Sequence, residues 1–169
     1  MKKIGIFYGS ATGTTEKVAR RIAALLSVPE EDIHDVSATA PSAVGPYDIL
    51  VMGSSTWGSG EMETAWYDFT DALEVLDLRG KKAALFGCGD QTMEDTFCSA
   101  VGELYDRLRP TGIEFIAPYD TIGYSFEHSK AVPENAVDAV GLLLDEVNLP
   151  ELTETRLRGW TTLVADAAK

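Results

Sequence analysis

The sequence holds few of the residues from which most active sites are built. Its 169 residues include two cysteines and two histidines. Cys88 and Cys98 lack metal-ligand spacing, and in a reducing compartment they read as packed thiols rather than a disulfide. His34 and His128 each stand without a second ligand type nearby and read as surface or hydrogen-bonded residues. No apolar run approaches the roughly 18 to 20 residues needed to span a bilayer. The opening Met1 to Tyr8 is interrupted too soon by Gly9-Ser10 to act as a secretory signal. These absences predict a cytoplasmic protein with no bound metal and no membrane segment.

Positive charge is scarce as well. Lys and Arg number 14 against 27 Asp and Glu, a net charge of −13 at pH 7. Nucleic acid and anionic membranes would repel such a chain. Between Arg21 and Arg79 there is no Lys or Arg, while Glu30, Glu31, Asp32, Asp35, Asp48, Glu61, Glu63, Asp68, Asp71, Glu74 and Asp77 fall there, so a contiguous negative surface is expected from that stretch. No repeat, low-complexity tract or polar linker divides the chain, and the expectation is one domain over residues 1–169.

What is present is an alternation of strand and helix signals. Lys3 to Tyr8, a weak peripheral Ile33 to Val36, a strong Asp48 to Ser54, Lys82 to Gly87 and Ile113 to Pro118 read as strands. Thr14 to Leu26, Thr64 to Leu76 and Asp95 to Leu108 read as helices. A last helix runs from Thr153 as N-cap to Ala167, with Leu157, Trp160, Leu163 and Val164 on one face. Strands that are apolar on both faces and separated by helices predict a doubly wound parallel α/β sheet with helices on both faces. Ligands bind such sheets beyond the carboxyl ends of the strands, which points to the loops after the first, third and fourth strands. Residues 119–138 break the alternation; an insertion splitting the fifth strand accounts for them, and a sixth independent strand is the alternative.

Ser10, Ala11, Thr12, Gly13, Thr14 and Thr15 follow the first strand and open a helix, where amides and the helix dipole converge on an anion. A triphosphate loop needs a Lys before its Ser or Thr, and a dinucleotide loop needs three spaced glycines; neither is here. Two readings stand: a monophosphate held by neutral donors, or an ordinary hydroxyl-rich helix start.

This segment resembles the phosphate loop of flavodoxins, and the resemblance, to the long-chain members in particular, continues through Ser55-Thr56-Trp57-Gly58, Gly87-Cys88-Gly89-Asp90-Gln91, the stretch Gly123 to Ala131, and Val140 to Glu146. It implies five strands in the order 2-1-3-4-5 and non-covalently bound flavin mononucleotide (FMN). It also implies a low-potential one-electron carrier, rather than an enzyme, which works as a monomer between partners with basic docking surfaces, such as an NADP-dependent reductase or ferredoxin-dependent types of enzyme. By that resemblance Ser10 to Thr15 take the phosphate, and Ser55, Thr56, Trp57, Gly58, Ser59 and Gly60 take the ring, with Trp57 either stacked on it or anchored on the core. Rotation of the peptide after Gly58 would let a carbonyl accept the hydrogen of a neutral semiquinone. Cys88, Gly89 and Asp90 meet the ring edge. Met93 stands near where the family has a tyrosine, either on the outer flavin face or in the core.

An acid about 10 Å from the ring, at an effective dielectric near 40, opposes an added electron by roughly 0.8 kcal/mol, or about 35 mV. Several together would make the reduced protein a strong donor. A flavin-dependent quinone or azo reductase of the same fold is the alternative function; it needs room for a hydride donor, and the acidic rim disfavours a nicotinamide dinucleotide. A phosphorelay receiver would need acids where Gly9-Ser10 and Gly53-Ser54-Ser55 stand.

Overall fold

The computed structural model describes residues 1–169. Its strands are β1 (Ile4–Gly9), β2 (Ile33–Asp35), β3 (Ile49–Trp57), β4 (Glu61–Met62), β5 (Lys82–Cys88), β6 (Glu114–Ile116) and β7 (Leu142–Leu144), and its α-helices α1 (Thr14–Leu26), α2 (Ala65–Glu74), α3 (Ser99–Leu108) and α4 (Thr153–Ala167). The sheet runs β2-β1-β3-β5-β6, all parallel. This is the expected order 2-1-3-4-5, with the fifth strand in two pieces. β6 pairs with Lys82 to Ala84 and β7 with Phe86 to Cys88, along one edge of β5. Residues 117–141 leave and rejoin the sheet between them, and an antiparallel bridge from Tyr119 to Ala139 closes their stem. The one antiparallel strand, β4, is a short return pairing with Thr56 and Trp57 and was not expected.

Alternation along β3 divides the core. Leu50 and Met52 face Trp66, Leu73, Phe97 and Leu104 on the side of α2 and α3. Ile49 and Val51 face Ile22, Leu157 and Trp160 on the side of α1 and α4. Both faces are covered, so the central strands are apolar throughout.

Three helix details differ from the sequence expectation. α3 begins at Ser99 rather than Asp95, because the carbonyl of Glu94 accepts the amides of Glu127 and His128 and is not free to start a helix. Thr153 lies within α4 rather than capping it, and its hydroxyl bonds Glu146 at 3.2 Å. Leu163 is exposed, and Thr161 takes the inward place beside Trp160 and Val164.

The acidic stretch is partly neutralised. Glu30 meets Arg20, Asp32 meets Lys3, Asp71 and Glu74 meet Arg107, and Asp77 meets Arg79. Among the carboxylates without a cation in reach, Glu61, Glu63, Asp90, Glu94, Asp95 and Asp145 lie in the loops at the carboxyl end of the sheet, and others, such as Glu31, Asp48, Asp68, Glu114 and Glu134, are spread over the rest of the surface.

His34 is the hydrogen-bonded residue its isolation suggested. It stacks on Phe7 with ring centroids 4.8 Å apart, and its Nε2 lies 2.7 Å from the Tyr47 hydroxyl. That hydroxyl donates to Asp32 at 2.8 Å, so its oxygen is left to accept from a His34 Nε2–H. Burial holds His34 below its ordinary pKa of 6.5, with Asp32 opposing and Lys3 reinforcing. The unfolded chain therefore takes up this proton first as pH falls, so the stabilisation is full above pH 6.5 and is lost as pH drops through the folded value. Urea unfolding at pH 7 and pH 5 should show a larger loss in the wild type than in His34→Gln; equal losses would remove His34 from the account.

Candidate functional site

At the carboxyl end of the sheet, Thr12, Thr14, Ser55, Thr56, Trp57, Cys88, Gly89, Asp90, Glu146 and Val147 line one open cleft. It lies where strand order reverses, since β1 is flanked by β2 on one side and β3 on the other. Eight of these residues come from the three loops singled out in the sequence. Glu146 and Val147 come from the turn after β7, for which the sequence predicts no ligand contact.

One wall is the start of α1. Gly13 sits at its N-cap with φ 91°, a conformation that disfavours a side chain, and no side chain caps the helix. The Ser10 hydroxyl accepts the Gly13 amide at 3.1 Å and holds the turn closed. The amides of Ala11, Thr12, Thr14, Thr15 and Glu16 donate to no protein group. Thr15 is buried, and its hydroxyl has no hydrogen-bond partner. Its polar neighbour is the Cys88 thiol, a poor partner whose own pKa burial pushes up to about 12. A buried hydroxyl and a fan of free amides without a neutralising side chain are matched to an anion of several oxygens.

The opposite wall is Trp57, 42% exposed at the end of β3, its indole oriented by a 2.7 Å hydrogen bond to the Ser55 hydroxyl. The Thr56 hydroxyl accepts the Ala100 amide at 3.4 Å and ties this wall to α3. The chain then turns tightly, the Gly60 amide donating to the Trp57 carbonyl, with positive φ at Gly58 (52°) but not at Ser59. That is the pattern of a type II′ turn and feeds β4. Gly58, Ser59 and Gly60 stand outside the cleft lining; Gly60 is buried against Ser99 and Ser59 is exposed.

The base is the turn after β5. Asp90 Oδ1 accepts from the Thr92 amide and hydroxyl and from Asn148 at 2.7 Å; these bonds, led by those from Thr92, hold its pKa below the usual carboxylate value. Met93 is exposed and lines neither the cleft nor the core. Residues 119–138 support this turn from behind: the Ser125 amide donates to the Gln91 side chain, and Tyr124 and Phe126 pack on Phe97 with centroids 5.3 and 5.0 Å apart. Arg156 fastens the same segment to α4, lying over the rings of Tyr119 and Tyr124 and donating to Asp120 and Ile122.

The free amides at the start of α1, the Trp57 wall and the nearby acids at the strand-order switch place the chain among doubly wound α/β proteins whose cleft suits a phosphate-bearing aromatic ligand. A family model described as Flavodoxin matches residues 6–160. A flavodoxin of Klebsiella pneumoniae is 41% identical over 98% of this chain and 94% of its own, and Flavodoxin 1 of Escherichia coli K12 is 40% identical over 96% and 92%. The crystal structure of a Fusobacterium nucleatum flavodoxin bound to flavin mononucleotide superposes with a TM-score of 0.89 at 30% identity, covering both chains fully. The chain belongs to the flavodoxin family.

Proposed function

We propose that this chain is a one-electron carrier that binds FMN in the cleft between α1 and Trp57. The observation that carries the reading is the buried, unpartnered Thr15 hydroxyl beside the free amides of the α1 N-terminus. Ser10, Ala11, Thr12, Gly13, Thr14 and Thr15 would hold the phosphate, Thr56, Cys88, Gly89, Asp90 and Glu146 the chain and ring edge, and Trp57 one ring face. Bound FMN supplies reversible uptake of electrons one at a time. The polypeptide binds, orients and sets potential: Trp57 excludes water from one face, and the unpaired carboxylates around the cleft disfavour added negative charge. Gly58 keeps its turn free to reorient at low steric penalty.

The acidic rim supports partners with basic docking faces, of the reductase or ferredoxin-dependent kind, met by a monomer; association rates should fall as salt rises. No helix is long and apolar enough to cross a membrane. The quinone or azo reductase alternative draws no support from family membership.

Titration with FMN, followed by the quenching of flavin and tryptophan fluorescence, tests the reading. The wild type should bind FMN far more tightly than riboflavin, and stepwise reduction should proceed in two separate one-electron stages. Trp57→Ala should weaken FMN about ten-fold, as loss of stacking and of apolar burial requires. Equal affinity for riboflavin and FMN would remove the phosphate from the account and with it this assignment.

A further inference from the structure

We infer that Asn148 is a positioning residue for the cofactor end of the site: its carboxamide fixes the Asp90 carboxylate at the cleft by joining it to the buried Asp145. Asn148 Nδ2 donates at 2.7 Å to Asp90 Oδ1 and at 2.9 Å to Asp145 Oδ2. Both hydrogens of the amide are thereby used, one on each of two carboxylates that would otherwise repel. Asp145 is fully buried and makes three further bonds, accepting the amides of Gln91 at 3.1 Å, Val147 at 3.0 Å and Asn148 at 2.9 Å. It is the fixed point that joins the turn after β5 to the turn after β7, and Asn148 carries that fixity outward to Asp90.

The geometry leaves one feature of Asp90 for the cleft. Its Oδ1 is occupied by Thr92 and Asn148, whereas Oδ2 makes no hydrogen bond. Asp90 lines the cleft and Asn148 does not, so Asn148 acts on the cofactor through Asp90. A carboxylate held at the ring edge opposes each added negative charge. Without Asn148 the carboxylate keeps its two Thr92 bonds but loses its tie to the buried Asp145, and the further it swings into water the more it is screened and the less it acts on the ring. Asn148 therefore acts on the reduction potential, beyond joining two turns.

This rests on the proposal that FMN occupies the cleft beside Asp90, and the test separates the two. Wild type, Asn148→Ala, Asp90→Asn and the double variant are each titrated with FMN, unfolded in urea without it, and poised potentiometrically with it. Asn148 is exposed, and in Asn148→Ala the Asp145 carboxylate keeps its three amide donors, so the variant retains its fold. The expected results are about ten-fold weaker FMN binding by Asn148→Ala and a rise in the second one-electron potential in both single variants. In the double variant the potential should stand no higher than in Asp90→Asn alone, as for residues acting through one group. Asn148→Asp, which replaces a donor with a third carboxylate, should bind FMN more weakly than Asn148→Ala. A lower urea midpoint for Asn148→Ala with unchanged potential and affinity would make Asn148 a staple only and overturn the proposal. Failure of the wild type to bind FMN would instead strike the function proposed above.

Discussion

Thr15→Val should make the cofactor-free protein more stable and its grip on FMN weaker, two changes of opposite sign from one substitution. The Thr15 hydroxyl is buried and without a partner. Leaving such a group unsatisfied costs about 1 to 2 kcal/mol, which valine of similar shape removes. In the proposed FMN complex the same hydroxyl would be offered to a phosphate, and a hydrogen bond to a charged group contributes about 1.5 to 3 kcal/mol, or roughly 10- to 100-fold in affinity. Urea unfolding of the cofactor-free variant and an FMN titration read the two signs separately, with riboflavin as the control that should not respond. If stability fell along with affinity, the hydroxyl would be a structural group and the phosphate would sit elsewhere.

The second large effect is expected at Gly102→Ala. A Cβ at this buried position of α3 would lie 2.3 Å from the carbonyl carbon and oxygen of Lys130 and 2.7 Å from the Ala131 amide. These are backbone atoms and cannot turn aside. The added methyl must push the segment 129–131 off the helix, and destabilisation of about 2 to 3 kcal/mol is expected. The consequence should reach the cleft, because the displaced segment runs directly on from Ser125, Glu127 and His128, whose amides Gln91 and Glu94 accept. Hydrogen exchange of Ser125, Glu127 and His128 should accelerate more than that of β1 or β3, and FMN should bind more weakly. A uniform rise in exchange would mean that α3 itself, rather than the packed segment, had given way.

Much of this arrangement is legible in the sequence because the central strands are buried on both faces. Ile49-Leu50-Val51-Met52 and Ala83-Ala84-Leu85-Phe86 have no polar alternation to confuse with a helix or a half-exposed strand. The turn after β1 is legible as a candidate anion site for a different reason: hydroxyls and one glycine between a strand and a helix leave only two readings, an anion grip or a hydroxyl-rich helix start. The start of α3 is not legible, since it depends on which amides reach the Glu94 carbonyl from more than 30 residues away. Nor is β4, which exists because the turn at Gly58 folds two residues back onto β3. Glu146 and Val147 were discoverable, as they follow a strand at its carboxyl end. That strand is only Leu142–Leu144, cut off from its first half, and so carried too weak a signal to mark its own end as a ligand edge.

The bridge between Tyr119 and Ala139 makes the long excursion a closed circuit whose two feet stand side by side. Within it, residues 133–138 are exposed throughout, and none lines the cleft. Length added or removed there shifts neither half of the divided strand, since the pinned feet absorb the change. That stretch is therefore the place to graft a label, an electrode tether or a fused domain onto this carrier while its electron port stays untouched.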